Sequence, residues 1–264
     1  MLRPMHITPQ PWWFAVAAPP PPAGFVNPPG LVYWLDAADA ATISLGVGNA
    51  IAQVNDRSGS NNHAAQAVSI RQPTLLAAQI NGLPTIHVAG ASGAAGQIMN
   101  LANPVDYTGG FTLFFVGRCA SGFFGPLFAP LQANSDSLVC AYAETNGFLS
   151  PEIDTPGPGR YRGGATLAQP RPKSAAHIMW GSWDGVASQS GLTLGIDNES
   201  VPDDPEFNYD DTGVVTGGFF QALFGNDVGT GEADYGEIRY FDRVLTDTEK
   251  GSVIGNLRGK WGVS

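Results

Sequence analysis

The densest set of metal-ligating side chains in this 264-residue chain lies at 201–211, VPDDPEFNYDD, which holds Asp203, Asp204, Glu206, Asn208, Asp210 and Asp211. Hard oxygen donors in a loop suit Ca²⁺. Their spacing matches no defined calcium loop, however, and acid-rich runs are commonly just solvated. The expectation is therefore no required cofactor, with Ca²⁺ as the ion that Asp203, Asp204, Asp210 and Asp211 would take. Phe207 and Tyr209 in the same loop could stack on a sugar ring. Trp180 and Trp183, in HIMWGSW at 177–183, are the other candidates for glycan binding. Three apart on a strand, they face opposite sides, so one belongs to the core and the other is left for solvent or a ligand. The four histidines (His6, His63, His87, His177) are too scattered for a zinc site. Ser182 sits in Gly181-Ser182-Trp183 rather than in a nucleophile elbow. No phosphate-binding or dinucleotide fingerprint occurs. The chemistry implied is binding; no catalytic residue is assigned and the chain reads as a non-enzyme.

The elements that must position these residues are strands. Charged residues make up 14% and hydrophobic ones 43%, with 34 Gly and 21 Pro. That mix fits many short strands joined by tight turns and argues against long helices. Alternation and turn signals place strands near 31–36, 50–55, 84–89, 98–101, 111–118, 137–143, 147–153, 176–183, 191–197, 219–225 and 234–242. The segment 111–116 (FTLFFV) is apolar on both faces, so it belongs mid-sandwich or under a second layer. In the last strand Tyr235, Glu237, Arg239 and Phe241 should share one face, with Gly236, Ile238 and Tyr240 on the other. One helix closes the chain. Thr246 stands three residues before Glu249 as a capping box, and Val253, Ile254, Leu257 and Trp261 fall on one helical face. Cys119 and Cys140 both lie in expected strands; they either pair across neighbouring strands or stay as two buried thiols.

Residues 1–30 differ from the rest. Nine of the 21 prolines are here, Pro19, Pro20, Pro21 and Pro22 in a row, with Arg3 as the one charge. Proline fixes φ and lacks an amide donor, so this stretch reads as an extended arm, separate from a domain at 31–264. Trp12, Trp13 and Phe14 each bring roughly 150–250 Å² of surface for burial. The arm is therefore expected to dock on a neighbouring subunit or another protein, with packing back on its own domain as the alternative. The apolar patch at 12–18 is hemmed by prolines and does not read as a secretion signal. No apolar run has the length of a membrane span. A formal charge of −10 disfavours nucleic acid and anionic membrane as direct partners.

Gly236, Glu237, Ile238, Tyr240, Phe241, Asp242, Arg243 and Leu245, followed by Lys260-Trp261-Gly262, resemble the closing motif of the laminin-G-like, concanavalin A-like lectin/glucanase superfamily. The opening is similar too, in Leu31-Val32-Tyr33-Trp34-Leu35-Asp36-Ala37, Val54-Asn55-Asp56-Arg57-Ser58-Gly59 and Asn62-His63-Ala64. So are Asn81-Gly82-Leu83-Pro84 and the strands at 111–116 and 177–185. The resemblance implies an all-β jelly-roll sandwich of two antiparallel sheets with a short C-terminal helix. It assigns His63 a structural hydrogen bond and Trp34 a core position. Retaining members carry three carboxylates as E-x-D-x-E on one sheet face. Glu152-Ile153-Asp154 and Glu232-Ala233-Asp234 begin that pattern, but Pro156 and Gly236 stand where the third acid belongs. Single domains of this type with an assembly arm resemble accessory proteins of tailed bacteriophages. The leading expectation is a virion-surface structural protein, a capsid decoration or a tail or fibre component. It would be held by its arm to other virion proteins or to itself, as a homo-oligomer such as a trimer, with the sandwich touching cell-surface glycans. A free carbohydrate-binding lectin is the runner-up and a degenerate glycoside hydrolase the third reading.

Overall fold

The computed structural model describes residues 24–89, 96–106, 109–121, 128–129, 142–143, 149–150, 152–154, 162–164, 172, 174–185, 192–201, 219–224 and 232–263. The first half holds β1 (Leu31–Asp36), β2 (Ile43–Leu45), β3 (Ile51–Val54), β4 (Ala64–Ala65), β5 (Thr74–Ile80), β6 (Leu83–Val88), β7 (Met99–Asp106) and β8 (Phe111–Ser121). Short pieces follow: β9 (Phe128–Ala129), β10 (Tyr142–Ala143), β11 (Leu149–Ser150), β12 (Glu152–Asp154) and β13 (Arg162–Gly164). The chain closes with β14 (His177–Trp183), β15 (Leu192–Ile196), β16 (Glu199–Val201), β17 (Phe219–Leu223), β18 (Glu232–Phe241) and helix α1 (Asp247–Trp261).

These strands form two antiparallel sheets. The larger runs β16-β15-β14-β8-β18-β6-β5, with β1 also paired to β18; the smaller runs β2-β3-β4-β7-β17-β9. β10–β11 and β12–β13 are separate two-stranded ribbons. Between the sheets lies a core that includes Tyr33, Leu35, Ile86, Met99, Phe111, Leu113, Phe115, Trp183, Leu223 and Tyr240. On the outer face of the larger sheet, Phe114, Val116, Ile178, Trp180 and Phe241 make a second apolar layer under α1 with Val253, Ile254, Leu257 and Trp261. The apolar two-faced strand expected at 111–116 is thus explained: β8 is covered on one side by the other sheet and on the other by the helix.

Helix α1 starts where the capping box sets it. Thr246 Oγ1 accepts from the Glu249 amide at 3.3 Å while Glu249 Oε2 accepts from the Thr246 amide at 2.9 Å. Arg243 adds a two-pronged grip on the Glu249 carboxylate at 3.0 and 2.6 Å. The helix ends at Gly262, which takes the left-handed conformation with φ of 64° and donates its amide to the Arg258 carbonyl.

The simple alternation expected in β18 does not hold throughout. The register slips between Tyr235 and Glu237, so Gly236 is an extra residue in the strand. The bulge turns Tyr235 into the core with Ile238 and Tyr240, whereas the alternation puts it with Glu237 and Arg239. A β-carbon at Gly236 would lie 2.8 Å from the Trp261 ring, so the residue that makes the bulge also makes room for the helix. β5 is a strand that the sequence reading lacks. Its Leu75-Leu76-Ala77-Ala78 run breaks period two, and Ala78 has φ of 55°, within an irregular pairing between Leu76 and Ile80.

Candidate functional site

Several residues that carry the family resemblance, Trp34, Asp36, Arg57, Glu237, Lys260 and Trp261, meet between the outer face of β18, β1 and the last turn of α1. Glu237 lies at its centre. Its Oε1 accepts from Trp34 Nε1 and Arg239 Nε, both at 2.8 Å, and its Oε2 from Lys260 Nζ and Trp261 Nε1, also at 2.8 Å. Asp36 accepts from the same Lys260 ammonium and from Arg57 Nη1. Arg57 lies 4.1 Å over the Trp34 ring and reaches Asp39 at 3.2 Å. Arg239 donates to Asn27 at 3.0 Å and to Asn256 at 2.6 Å.

Burial works against the Glu237 charge. Arg239 and Lys260, together with hydrogen bonds from Lys260 and Trp261, outweigh it and hold the pKa at about 2. Asp36 moves the other way. Burial and then the neighbouring Glu237 charge raise it, opposed by Lys260 and Arg57. The charged groups of Glu237, Arg239, Asp36 and Lys260 are engaged with one another and with their neighbours, and their side chains are at most 6% exposed. The cluster is a lock between helix and sheet.

A concavity does open beside it. At the C-terminal end of α1, a cavity of about 310 Å³ is lined by Gln79, Asn81, Arg118, Ser174, Trp261 and Val263, among others. Arg118 is fixed from behind: Nε donates to Asp234 Oδ2 at 2.7 Å and Nη2 to Gln79 Oε1 at 2.6 Å. Asp234 is itself turned away from solvent and held by His87 Nδ1 at 2.9 Å. Asn81 donates to the Lys260 carbonyl at 3.0 Å, so the turn between β5 and β6 is tied to the helix end. The lining residues include no Asp or Glu, and Arg118 is their one charged side chain. A guanidinium oriented by a carboxylate and an amide offers its remaining N–H groups to an oxygen-bearing ligand.

The residues singled out from the sequence fall elsewhere. Trp183 is 0% exposed and packs between the sheets, and Trp180 is 6% exposed under α1. They do face opposite sides, but neither is left for a sugar, because the helix covers the second face. Trp180 lies against Gly195, where any β-carbon would overlap its ring, with Lys250 Nζ 5.3 Å from its centroid. Trp34 is half-buried in the ion cluster instead of filling the core. His63 fulfils its structural expectation: Nδ1 accepts from the Asp56 amide at 3.1 Å. Asp234 is committed to His87 and Arg118, while Glu152 and Asp154 lie on the β12–β13 ribbon. Trp12, Trp13, Phe14, Pro19, Pro20, Pro21 and Pro22 lie outside the described residues, as do Asp203, Asp204, Phe207, Tyr209, Asp210, Asp211 and Cys140. Among the described residues no cluster of three or more His, Cys, Asp or Glu is placed to hold a metal. Sequence reasoning quoted Asn81 only within a motif and missed Arg118, Gln79 and Ser174. One signal was present: Arg118 is a lone cation at the end of an otherwise apolar strand.

No family model and no curated protein matches the chain. Solved structures do resemble it. The binding domain of Paraclostridial Mosquitocidal Protein 1 aligns with a TM-score of 0.55 at 11% identity, covering 89% of this chain and 55% of that one. The binding domain of Botulinum Neurotoxin DC, in complex with SialylT, gives 0.54 at 10% identity, covering 87% and 52%. The chain therefore spans about half the length of the binding domains it matches. Trypanosoma rangeli sialidase aligns more weakly, at 0.47 with 13% identity, covering 90% of this chain and 35% of the enzyme. At these identities the likeness is one of fold. The class so defined is a β-sandwich of two antiparallel sheets closed by one short helix.

Proposed function

We propose that the chain is a non-enzymatic recognition module that binds carbohydrate at the Arg118 concavity. The observation that carries this reading is the cavity itself. It is polar and free of acids, close to the lower end of ordinary small-ligand pockets at about 300 Å³, and it holds a guanidinium oriented by Asp234 and Gln79. One sugar residue fits that size. The fold serves in binding domains of toxins, one of them described in complex with SialylT, which is consistent with this role. The test is a glycan array probed with the full-length chain and with Ser174→Trp, which fills the cavity from an exposed position. Binding by the parent and its loss in the variant is the expected result. Equal binding by both would move the site away from Arg118.

A second proposal concerns placement, as an accessory protein on a virion surface that joins other virion proteins or copies of itself. One feature of the structure favours an arm with a fixed point of departure. Phe25 lies 5.1 Å from the Arg239 guanidinium, Asn27 accepts from Arg239, and the Pro29 carbonyl accepts from Arg243 at 3.0 Å. Residues 24–30 are thus strapped to the sandwich beside α1, and the proline-rich segment before them leaves from one defined place. Deleting residues 1–23 spares these contacts. The truncated chain should stay folded but no longer sediment with phage particles lacking this protein. Normal incorporation would sink the docking-arm idea.

A further inference from the structure

We propose that the Arg118 concavity recognises the carboxylate of a single acidic sugar residue, a uronic or ulosonic acid at the end of a glycan. The inference rests on the carbohydrate-binding reading above and adds the chemical class of the ligand. Arg118 spends Nε on Asp234 and one Nη2 hydrogen on Gln79. Nη1 has no partner among the described residues, so the Nη1–Nη2 edge of the fork is open. That edge matches the two oxygens of a carboxylate in a paired, planar geometry. Asp234 fixes the plane of the guanidinium and offsets part of its charge through the Nε side, so the ligand carboxylate is selected by the paired N–H geometry of the open edge. The rest of the lining suits the body of a pyranose. Asn81, having given its amide to Lys260, keeps its carbonyl oxygen for a hydroxyl, Ser174 offers a hydroxyl, and Ala175, Ala176 and Val263 supply an apolar wall.

Charge count narrows the class further. Arg118 is the one cation in the lining and Asp234 already offsets part of its charge, so a monoanion is favoured over a phosphate dianion, whose second charge nothing in the lining would meet. The chain carries a formal charge of −10, which repels a polyanionic polymer, so a lone terminal acid on an otherwise neutral glycan is favoured over a chain of acids.

The test uses the full-length chain in titration calorimetry with glucuronic acid and N-acetylneuraminic acid, the methyl ester of each, glucose and inorganic phosphate. The expected result is binding of at least one acid, at least about tenfold weaker binding of its ester, and loss of the difference in Arg118→Gln. Ser174→Trp should abolish binding of the acid without altering the melting temperature; it decides the matter if Arg118→Gln proves unstable. Equal affinity for acid and ester, or for acid and phosphate, would overturn the inference. Neutral glycans that bind in an Arg118-independent way would overturn it too, yet leave the carbohydrate-binding reading standing. Failure of every sugar on the array and in the calorimeter would remove both.

Discussion

Glu237 meets four side-chain partners and no solvent, so its loss cannot be made good by water. Glu237→Gln leaves Arg239 without its countercharge and Lys260 with Asp36 alone, and should destabilise the fold by about 3–5 kcal/mol in urea titrations. The pH dependence follows from the same contacts. With its pKa held at about 2 against an ordinary 4.5, Glu237 contributes stability that is complete above pH 4.5 and is lost as pH falls towards 2. Asp36 acts in the opposite sense, since its raised pKa gives stability below its ordinary 3.8 that fades as pH rises through the folded value. The acid limb of the stability curve should therefore be steep in the parent chain and flatter in Glu237→Gln, as read by chemical denaturation from pH 6 down. The motif residues were legible in sequence as a family resemblance, but their pairing was not. Asp36 and Lys260 are separated by 224 positions, and only the sheet order brings them together.

At the scale of elements, α1 shows what alternation and helical spacing can reveal. The capping box and the buried face Val253, Ile254, Leu257 and Trp261 read directly from the sequence, because they depend on neighbours within a few residues. The bulge at Gly236 did not, because its cause is a tryptophan ring twenty-five positions on. The glycines divide accordingly. Gly255 lies inside α1, and a β-carbon there would meet nothing within 4 Å, so Gly255→Ala should raise stability by about 0.5–1 kcal/mol. Gly236→Ala pushes a methyl into Trp261, and Gly195→Ala into Trp180; both should lower the melting temperature and the first should loosen the helix. Thermal unfolding of the three variants separates these outcomes. The expectation that Trp180 or Trp183 would meet a ligand failed at this scale as well. A strand shows its two faces in sequence, but not that a helix lies across the second.

For the whole molecule, the proposed arm and the proposed glycan site draw on different parts of the described surface. Among the described residues, the concavity at the end of α1 and the contacts that fix residues 24–30 involve different side chains. These two features are independent, so lesions in them should be separable. Ser174→Trp should spare particle association while abolishing glycan binding, and removal of residues 1–23 should do the reverse. A single lesion that removed both would argue that recognition and attachment share one surface.

The position of β18 has a further consequence for how the chain comes into being. This strand pairs with β1, β6 and β8, and the Trp34–Glu237 bond alone joins residues 203 positions apart. A nascent chain on the ribosome therefore carries β1 without its β18 partner until synthesis has passed residue 241. The sandwich can close only after synthesis delivers Lys260 and Trp261 to the same corner. Long-range closure of this kind is slow, and for that interval the apolar strands stay open to chaperones and to one another. Stalled chains ending before β18 should be digested readily by protease, whereas released full-length chains should resist it.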